Sequence, residues 1–218
     1  MTTKSALLKK EFVLASVPIT YIFIAFTLMT FIPGYPIEMG AFFVCMGIFQ
    51  TFRFYNEAND IFYSVMLPVS KKDIVKSKYK FTVIVELISF LLITLFAIIR
   101  MMLLKDVTVY TENPLMNANA AFLGWTLIVF AMFNIFFVGG FFKTGYKYGI
   151  PFFVFSLMAF IVVAIGESIS HFPGLEFFGQ TGFDLRQLYV LGIGSIIYIL
   201  ATSVSLCISV KRFEKIDL

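Results

Sequence analysis

The chain has 218 residues, of which 60% are hydrophobic and only 14% are charged, and phenylalanine alone occupies 29 positions. Soluble domains carry roughly 25% charged residues, and a soluble fold of this length could not hide so much apolar surface. Lipid is therefore the predicted solvent. The net charge of +4 indicates no nucleic-acid partner, because the basic residues flank apolar runs and form no patch. Both cysteines lie within apolar runs, which favours neither a disulfide framework nor a metal site.

Six apolar runs are long enough to cross a bilayer, since a helix needs about 20 residues to span the hydrocarbon. The predicted spans are 12–32, 37–55, 81–104, 121–142, 150–167 and 188–210. They predict an all-α, polytopic membrane protein with a single transmembrane domain over residues 1–218. The first run lacks a small-residue cleavage site and is interpreted as a retained anchor. The phenylalanine side chains are expected to face lipid, with the lining of an apolar path as the alternative.

Lysine and arginine set the predicted orientation. Fourteen of them fall at the N-terminus, in the loops after spans two and four, and at the C-terminus, whereas the opposite side has only Arg100, Lys105 and Arg186. Cytoplasmic loops carry the excess of these residues. Both termini and the loop between spans two and three are therefore predicted to be cytoplasmic. Arg100 lies near the outer end of its span and is expected to reach the interface by snorkelling.

The segment 57–80 is the long polar interruption near the front of the chain, and its first part has the period of an amphipathic helix. Apolar residues repeat at helical spacing at Ala58, Ile61, Phe62, Val65 and Met66. Glu57 and Asp60 lie off this stripe. The pattern predicts a helix over 57–67 that lies across the end of the bundle and contacts another molecule.

Two signals separate this helix from the next one. Pro68 is expected to end it, because proline disfavours helical geometry in the preceding residue. Ser70, three residues before Asp73, is the predicted cap of the following helix. A helix from Ser70 to Leu104 measures about 50 Å, which exceeds the roughly 30 Å hydrocarbon core. About ten residues, including Lys71, are therefore predicted to project as a basic stalk.

Sequence motifs of catalysis are missing. Lys143-Thr144 resembles the end of a Walker motif, but Phe142 stands where glycine is required. There is no His-Glu-x-x-His zinc pattern and no Gly-x-Ser-x-Gly elbow. The sole histidine, His171, falls in a predicted outer loop. We expect a non-catalytic chain that binds no cofactor itself.

Two polar residues within the spans are candidates for a translocation path. Glu86 lies in the third span, where ionisable groups are costly and often functional. The alternative is a structural carboxylate that pairs with a nearby lysine. Asn134 lies in the fourth span and can hydrogen-bond across helices.

The region around Pro68 resembles the signature of one membrane protein family. An acidic segment with Glu57 and Asp60 precedes the run LPVSKKDIV over 67–75, and a lysine-rich start, LLKKEF, covers 7–12. The chain resembles small bacterial ABC transporter permeases of the type-2 exporter family, such as the permeases of phenol-soluble modulin exporters. The six-span plan with both ends inside agrees with this family along the whole chain.

The resemblance implies that the segment 57–80 is a coupling segment that seats in a groove on a separate ABC ATPase subunit. The residues implied in this coupling are Glu57, Asp60, Ile61, Phe62, Val65, Met66, Pro68, Ser70 and Lys71. It also implies that ATP and Mg²⁺ are bound by the ATPase and that a second copy, or a similar permease, completes the transporter in the bacterial plasma membrane. The implied cargo is an amphipathic, cytolytic peptide. Efflux of lipid-like drugs or antibiotics and an ion-coupled secondary carrier are the alternatives.

Overall fold

The computed structural model describes residues 3–111, 114–145 and 147–216, and most of them are helical. The α-helices are α1 (Thr3–Lys10), α2 (Pro18–Ile24), α3 (Met39–Glu57), α4 (Asp60–Met66), α5 (Lys71–Leu103), α6 (Thr108–Thr111), α7 (Ala120–Met132), α8 (Gly139–Phe141), α9 (Gly149–Ser168) and α10 (Leu188–Glu214). Two π-helices cover Glu11–Ala15 and Phe133–Val138, and 3-10 helices cover Ala25–Phe31, Pro114–Met116, Ile169–His171, Glu176–Gly179 and Leu185–Gln187. The described ranges contain no strand, which confirms the predicted all-α class.

Within the described residues, four helical segments are long and apolar enough to cross a membrane. They are Lys71–Leu103, Ala120–Phe141, Gly149–His171 and Leu185–Glu214, and a bent pair at the N-terminus adds a fifth if it counts as one span. Helix α3, at the predicted second span 37–55, has 19 residues but is not among these segments, because Gln50, Arg53 and Asn56 lower its hydropathy. The fold is therefore a polytopic helical membrane protein, and six crossings stay a prediction.

The first predicted span, 12–32, is not one straight helix. The segments Ser5–Ala15 and Pro18–Phe31 meet at an angle of 89°. Ser16 and Val17 are extended, with ψ of 144° and 145°, and Pro18 disfavours helical geometry in Val17, the residue directly before it. Pro18 then opens α2, where its missing N–H costs nothing. Helix α1 and its π-helical continuation consequently run across the direction of α2.

Helix α7 lies at the centre of the bundle. In the segment Ala120–Phe141, which begins with α7, 78% of the most apolar stretch is buried. The corresponding buried shares are 33%, 22% and 17% in the segments of α5, α9 and α10. It packs closely on α10 where two glycines meet, since a Cβ atom on Gly194 would collide with the backbone of Gly124. Small residues let membrane helices approach in this way.

Phenylalanine rings from three segments pack against one another inside the bundle. The ring centroids of Phe49 and Phe152 are 4.0 Å apart, and those of Phe133 and Phe137 are 4.8 Å apart. Phe155, on α9, is fully buried. The expectation that phenylalanine rings face lipid is wrong for this cluster, because its rings contact one another instead. Offset and edge-to-face ring pairs stabilise this packing.

Arg100 does not snorkel to the interface. Its side chain is buried near the end of α5 and donates to the carbonyl oxygens of Thr30 (2.9 Å) and Met116 (2.5 Å). Its guanidinium carbon also lies 4.1 Å from the ring centroid of Tyr110. Carbonyl groups left free at helix ends accept these bonds, so Arg100 joins three segments at this end of the bundle.

Candidate functional site

Helix α4 is a short, separate element at one end of the bundle. The predicted helix 57–67 is interrupted, because Asn59 has the left-handed φ of 52°, a conformation that asparagine tolerates. Glu57 therefore belongs to the end of α3, and α4 begins at Asp60. Leu67 is extended before Pro68, with ψ of 153°, which is the predicted end of the helix.

The predicted cap of the following helix is confirmed. Ser70 Oγ accepts a hydrogen bond from the backbone N–H of Asp73 at 3.1 Å and donates to the carboxylate of Asp73 at 2.7 Å. Lys71, the first residue of α5, donates from Nζ to the carbonyl oxygen of Ile216 at 2.6 Å. The start of α5 is thus fixed to the segment that follows α10.

The predicted apolar stripe is divided between two faces of α4. Ile61 is only 3% exposed and packs inward, whereas Phe62, Tyr63 and Met66 are 43%, 60% and 84% exposed. Val65 is intermediate. The exposed apolar patch therefore consists of Phe62, Tyr63 and Met66. Tyr63 is the member that the periodicity did not identify.

Behind this patch lie four charged residues, Lys10, Glu11, Asp60 and Lys78, which form the charged cluster. Lys78 Nζ lies 2.6 Å from Asp60 Oδ2 and 3.1 Å from Glu11 Oε2. Lys10 Nζ lies 2.7 Å from Asp60 Oδ1 and 3.5 Å from Glu11 Oε1. The side chains of Glu11 and Lys78 are completely buried, and those of Lys10 and Asp60 are nearly so. The cluster joins the N-terminal segment, α4 and α5.

Neutral side chains complete the cluster. Ser64 Oγ accepts from Lys10 Nζ at 2.7 Å, and Ser77 Oγ donates to Glu11 Oε1 at 3.3 Å. Lys78 Nζ also lies 3.1 Å from the ring centroid of Tyr55. The two ammonium and two carboxylate groups have no net charge together, and these extra contacts offset the loss of water that burial imposes.

Burial by itself would raise the pKa of Asp60, but Lys78 and Lys10 outweigh it and hold that pKa below its usual value. Each carboxylate oxygen of Asp60 accepts a hydrogen bond from a lysine of this chain, and its pairing with basic groups of an ATPase stays a prediction. Glu57 pairs with Arg53 at 2.7 Å, and both side chains are half exposed. This exposed pair contributes little to stability.

Glu86 and Asn134 meet inside the bundle. Glu86 Oε2 accepts hydrogen bonds from Asn134 Nδ2 at 2.9 Å and from the Tyr198 hydroxyl at 2.7 Å. Asn134 Nδ2 also donates to Thr202 Oγ1 at 3.1 Å. Asn134 lies in the π-helix that follows α7, and its carbonyl oxygen accepts from Ser205 Oγ at 2.6 Å. Both predicted path residues are fully buried and bridge three helices.

No lysine or arginine of the described residues pairs with Glu86, which corrects the expectation of a nearby lysine. Glu86 Oε1 and Asn134 Oδ1 have no hydrogen-bond partner within the described residues. A protonated carboxyl group is a donor and an amide oxygen is an acceptor, so the two residues have complementary hydrogen-bonding groups. The pair thus acts chemically as a polar bridge between α5, the π-helix and α10.

The charged cluster was missed by sequence reasoning, except for Asp60. Apart from the neighbours Lys10 and Glu11, the paired residues are separated by 18 to 67 residues along the chain, and helical periodicity carries no information at such distances. The available signal was a pair of opposite charges, Lys10 and Glu11, directly before an apolar run. Buried charges are almost always paired, so these two charges beside an apolar run indicate contacts with charged residues from other parts of the chain.

Comparison with known proteins identifies one family over most of the chain. The family model described as ABC-2 family transporter protein matches residues 5–214. No curated protein and no solved structure matches the chain.

Proposed function

The chain belongs to the ABC-2 transporter family as its membrane permease component, and from this premise we propose that it exports amphipathic, cytolytic peptides across the bacterial plasma membrane. A separate ABC ATPase subunit binds ATP and Mg²⁺ and supplies the energy. The observation that carries the coupling part of this proposal is the exposed apolar patch of α4, which stands directly in front of the buried charged cluster.

The exposed apolar patch is the proposed docking surface for the ATPase. Phe62, Tyr63 and Met66 present two aromatic rings and a flexible thioether at the end of the bundle that also carries both described chain ends. Aromatic residues and methionine are enriched in the centres of protein interfaces. In the proposed orientation this end faces the cytoplasm. Pro68, Ser70 and Lys71 serve the coupling indirectly, because they fix the turn from α4 into α5.

The charged cluster is the proposed route from the ATPase to the membrane. Lys78 lies about two turns into α5 and binds Asp60 of α4 directly. When ATP binding closes the ATPase dimer, α4 moves, and α5 follows because breaking the buried pair would be costly. Glu11 of the N-terminal segment also binds Lys78, so this segment moves together with α4 and α5. Lys78 lies within the predicted basic stalk, so the stalk carries this motion into the membrane-spanning part of α5.

Two permeases, either identical or similar, complete the proposed transporter. The outward faces of α5, α9 and α10 are rich in exposed apolar side chains, for example Leu91, Phe160 and Ile196. Such surfaces suit lipid and a second membrane subunit alike. The proposed cargo enters from the inner leaflet, since amphipathic peptides lie at the bilayer interface.

Stimulation of ATP hydrolysis by cargo tests this function. The chain is co-expressed with the ATPase encoded beside it, and the complex is placed in nanodiscs. We expect amphipathic helical peptides to raise the ATPase rate, and scrambled peptides of equal composition without an apolar face to leave it unchanged.

Two other results would redirect the assignment. A stable, active complex that ignores peptides but responds to lipid-like drugs or antibiotics contradicts the peptide cargo and retains the ABC exporter. Failure of any ATPase to bind, with transport driven by an ion gradient, contradicts the coupling proposal and favours a secondary carrier.

A further inference from the structure

A furrow of about 370 Å³ lies between the first half of α5 and the second half of α10. Lys76 and Lys80 line one end, and Val83 and Ile84, one turn further along α5, line the other. A second hollow of about 440 Å³ shares Val83, Thr202 and Ser203 with the first and extends to Leu87 and Phe90. The two hollows therefore form one continuous furrow that is basic at one end and apolar at the other.

The basic end has an excess of positive charge. Lys76 is half-buried and Lys80 is exposed, and neither forms an ion pair with a carboxylate of the described residues, in contrast to the neighbouring Lys78. Asp73 lines the same end, and its carboxylate accepts a hydrogen bond from Ser70. Two ammonium groups against one capped carboxylate favour an anionic ligand.

The dimensions of the furrow match one leaflet of a bilayer. Lys80 and Phe90 are ten residues apart on one continuous helix, which corresponds to about 15 Å at 1.5 Å per residue. Half of the roughly 30 Å hydrocarbon core is the same length. An ammonium group at the level of Lys80 therefore lies at the headgroup depth when Phe90 lies near the bilayer centre.

We propose that this furrow binds one anionic phospholipid of the leaflet on the side of α4, with its phosphate between Lys76 and Lys80. One acyl chain then lies along Val83, Leu87 and Phe90. Basic pockets between membrane helices on the cytoplasmic side recognise anionic headgroups in this way. The site is separate from the α4 patch, and it does not depend on the identity of the exported cargo.

Native mass spectrometry of the full chain with defined lipids tests this proposal. The probes are phosphatidylglycerol and phosphatidylcholine with the same acyl chains. We expect the wild-type chain to retain phosphatidylglycerol preferentially, and the double variant Lys76→Gln/Lys80→Gln to lose about tenfold in affinity for it, since each lysine near the membrane surface contributes to the attraction. Phosphatidylcholine binding should not change.

Two further variants separate the furrow from general attraction. Lys72→Gln/Lys143→Gln removes the same charge from exposed positions outside the furrow and should leave the preference intact. Ser203→Trp fills the furrow from an exposed position without changing charge and should lower phosphatidylglycerol retention.

Three results would overturn the proposal. Equal retention of the two lipids by the wild-type chain excludes headgroup recognition. An equal loss of phosphatidylglycerol affinity in the Lys72/Lys143 variant shows that overall charge, and not the furrow, attracts the lipid. If water-soluble glycerol phosphate displaces phosphatidylglycerol at the same concentrations, the site binds an anion without any contribution from the acyl chain.

Discussion

Lys78 is the residue on which the charged cluster depends, because it binds both Asp60 and Glu11 and is completely buried. The variant Lys78→Gln leaves two buried carboxylates with Lys10 as their remaining cation. Removal of one partner from a buried ion pair costs about 3–5 kcal/mol. We expect this variant to lose its monodisperse form at clearly lower temperature in detergent than the wild-type chain.

The matched control for Lys78→Gln is Lys72→Gln, which changes an exposed lysine of the same helix. Exposed charges contribute little to stability, so this control should melt with the wild-type chain. Equal melting of both variants would contradict a structural role of the charged cluster.

Asp60 should give the protein a measurable acid sensitivity. Its pKa is lowered in the folded chain by Lys78 and Lys10 against the opposing effect of burial. A carboxyl group with a lowered folded-state pKa stabilises the fold above its unfolded pKa of about 3.9, and this contribution is lost as the pH falls through the folded-state value.

The variant Asp60→Asn is therefore expected to be less stable at neutral pH and to lose less further stability between about pH 5 and pH 3. Thermal unfolding in detergent across this range measures both effects. The same change at the exposed Asp106 should alter neither. If the stability of Asp60→Asn depended on pH as that of the wild-type chain does, the ion pairs of Asp60 with Lys10 and Lys78 would be contradicted.

Glu86 is expected to act as a neutral hydrogen-bonding group. Glutamine has nearly the same shape, and its amide can donate to Asn134 Oδ1 while its oxygen accepts from Tyr198. Glu86→Gln should therefore fold and transport like the wild-type chain, and Glu86→Leu should be destabilised because Asn134 and Tyr198 lose their acceptor. Abolished transport in a well-folded Glu86→Gln would instead assign a charge on Glu86 to the transport cycle.

At the scale of the elements, the contact between α7 and α10 tests the packing of the bundle. A Cβ atom at Gly194 would collide with the backbone of Gly124, whereas a Cβ atom at Gly192 of the same helix meets nothing within 4 Å. We expect Gly194→Ala to lower the melting temperature and Gly192→Ala to leave it unchanged or raise it slightly. Equal stability of the two variants would show that the helices are farther apart.

The elements also show what the sequence could predict and why. The end of α4 before Pro68 and the cap of α5 at Ser70 follow from local rules that act within three or four residues. The bend before Pro18 obeys the same local rule, but the continuous apolar run conceals it. The burial of Phe155 and the ring contacts of Phe152 could not be predicted, since hydropathy reports that a ring avoids water and does not distinguish lipid from neighbouring rings.

At the scale of the whole molecule, composition and the signature around Pro68 were sufficient for the fold class and the family. The candidate site was predicted in part. Local spacing identified Phe62 and Met66, but not which of the apolar residues of α4 turn inward. The charged cluster arises only when α1, α4 and α5 come together, so tertiary structure was needed to find it.

The exposed apolar patch of α4 is the proposed docking surface for the ATPase. The most direct measurement is the affinity of the purified ATPase for the chain in nanodiscs, compared between Tyr63→Ala/Met66→Ala and Tyr35→Ala/Met102→Ala. The second variant makes the same chemical changes at exposed residues of the opposite end. We predict a loss of about tenfold or more for the first variant, because aromatic anchors dominate interface energies, and none for the second. Unchanged affinity in Tyr63→Ala/Met66→Ala, with the fold intact, would contradict docking through α4.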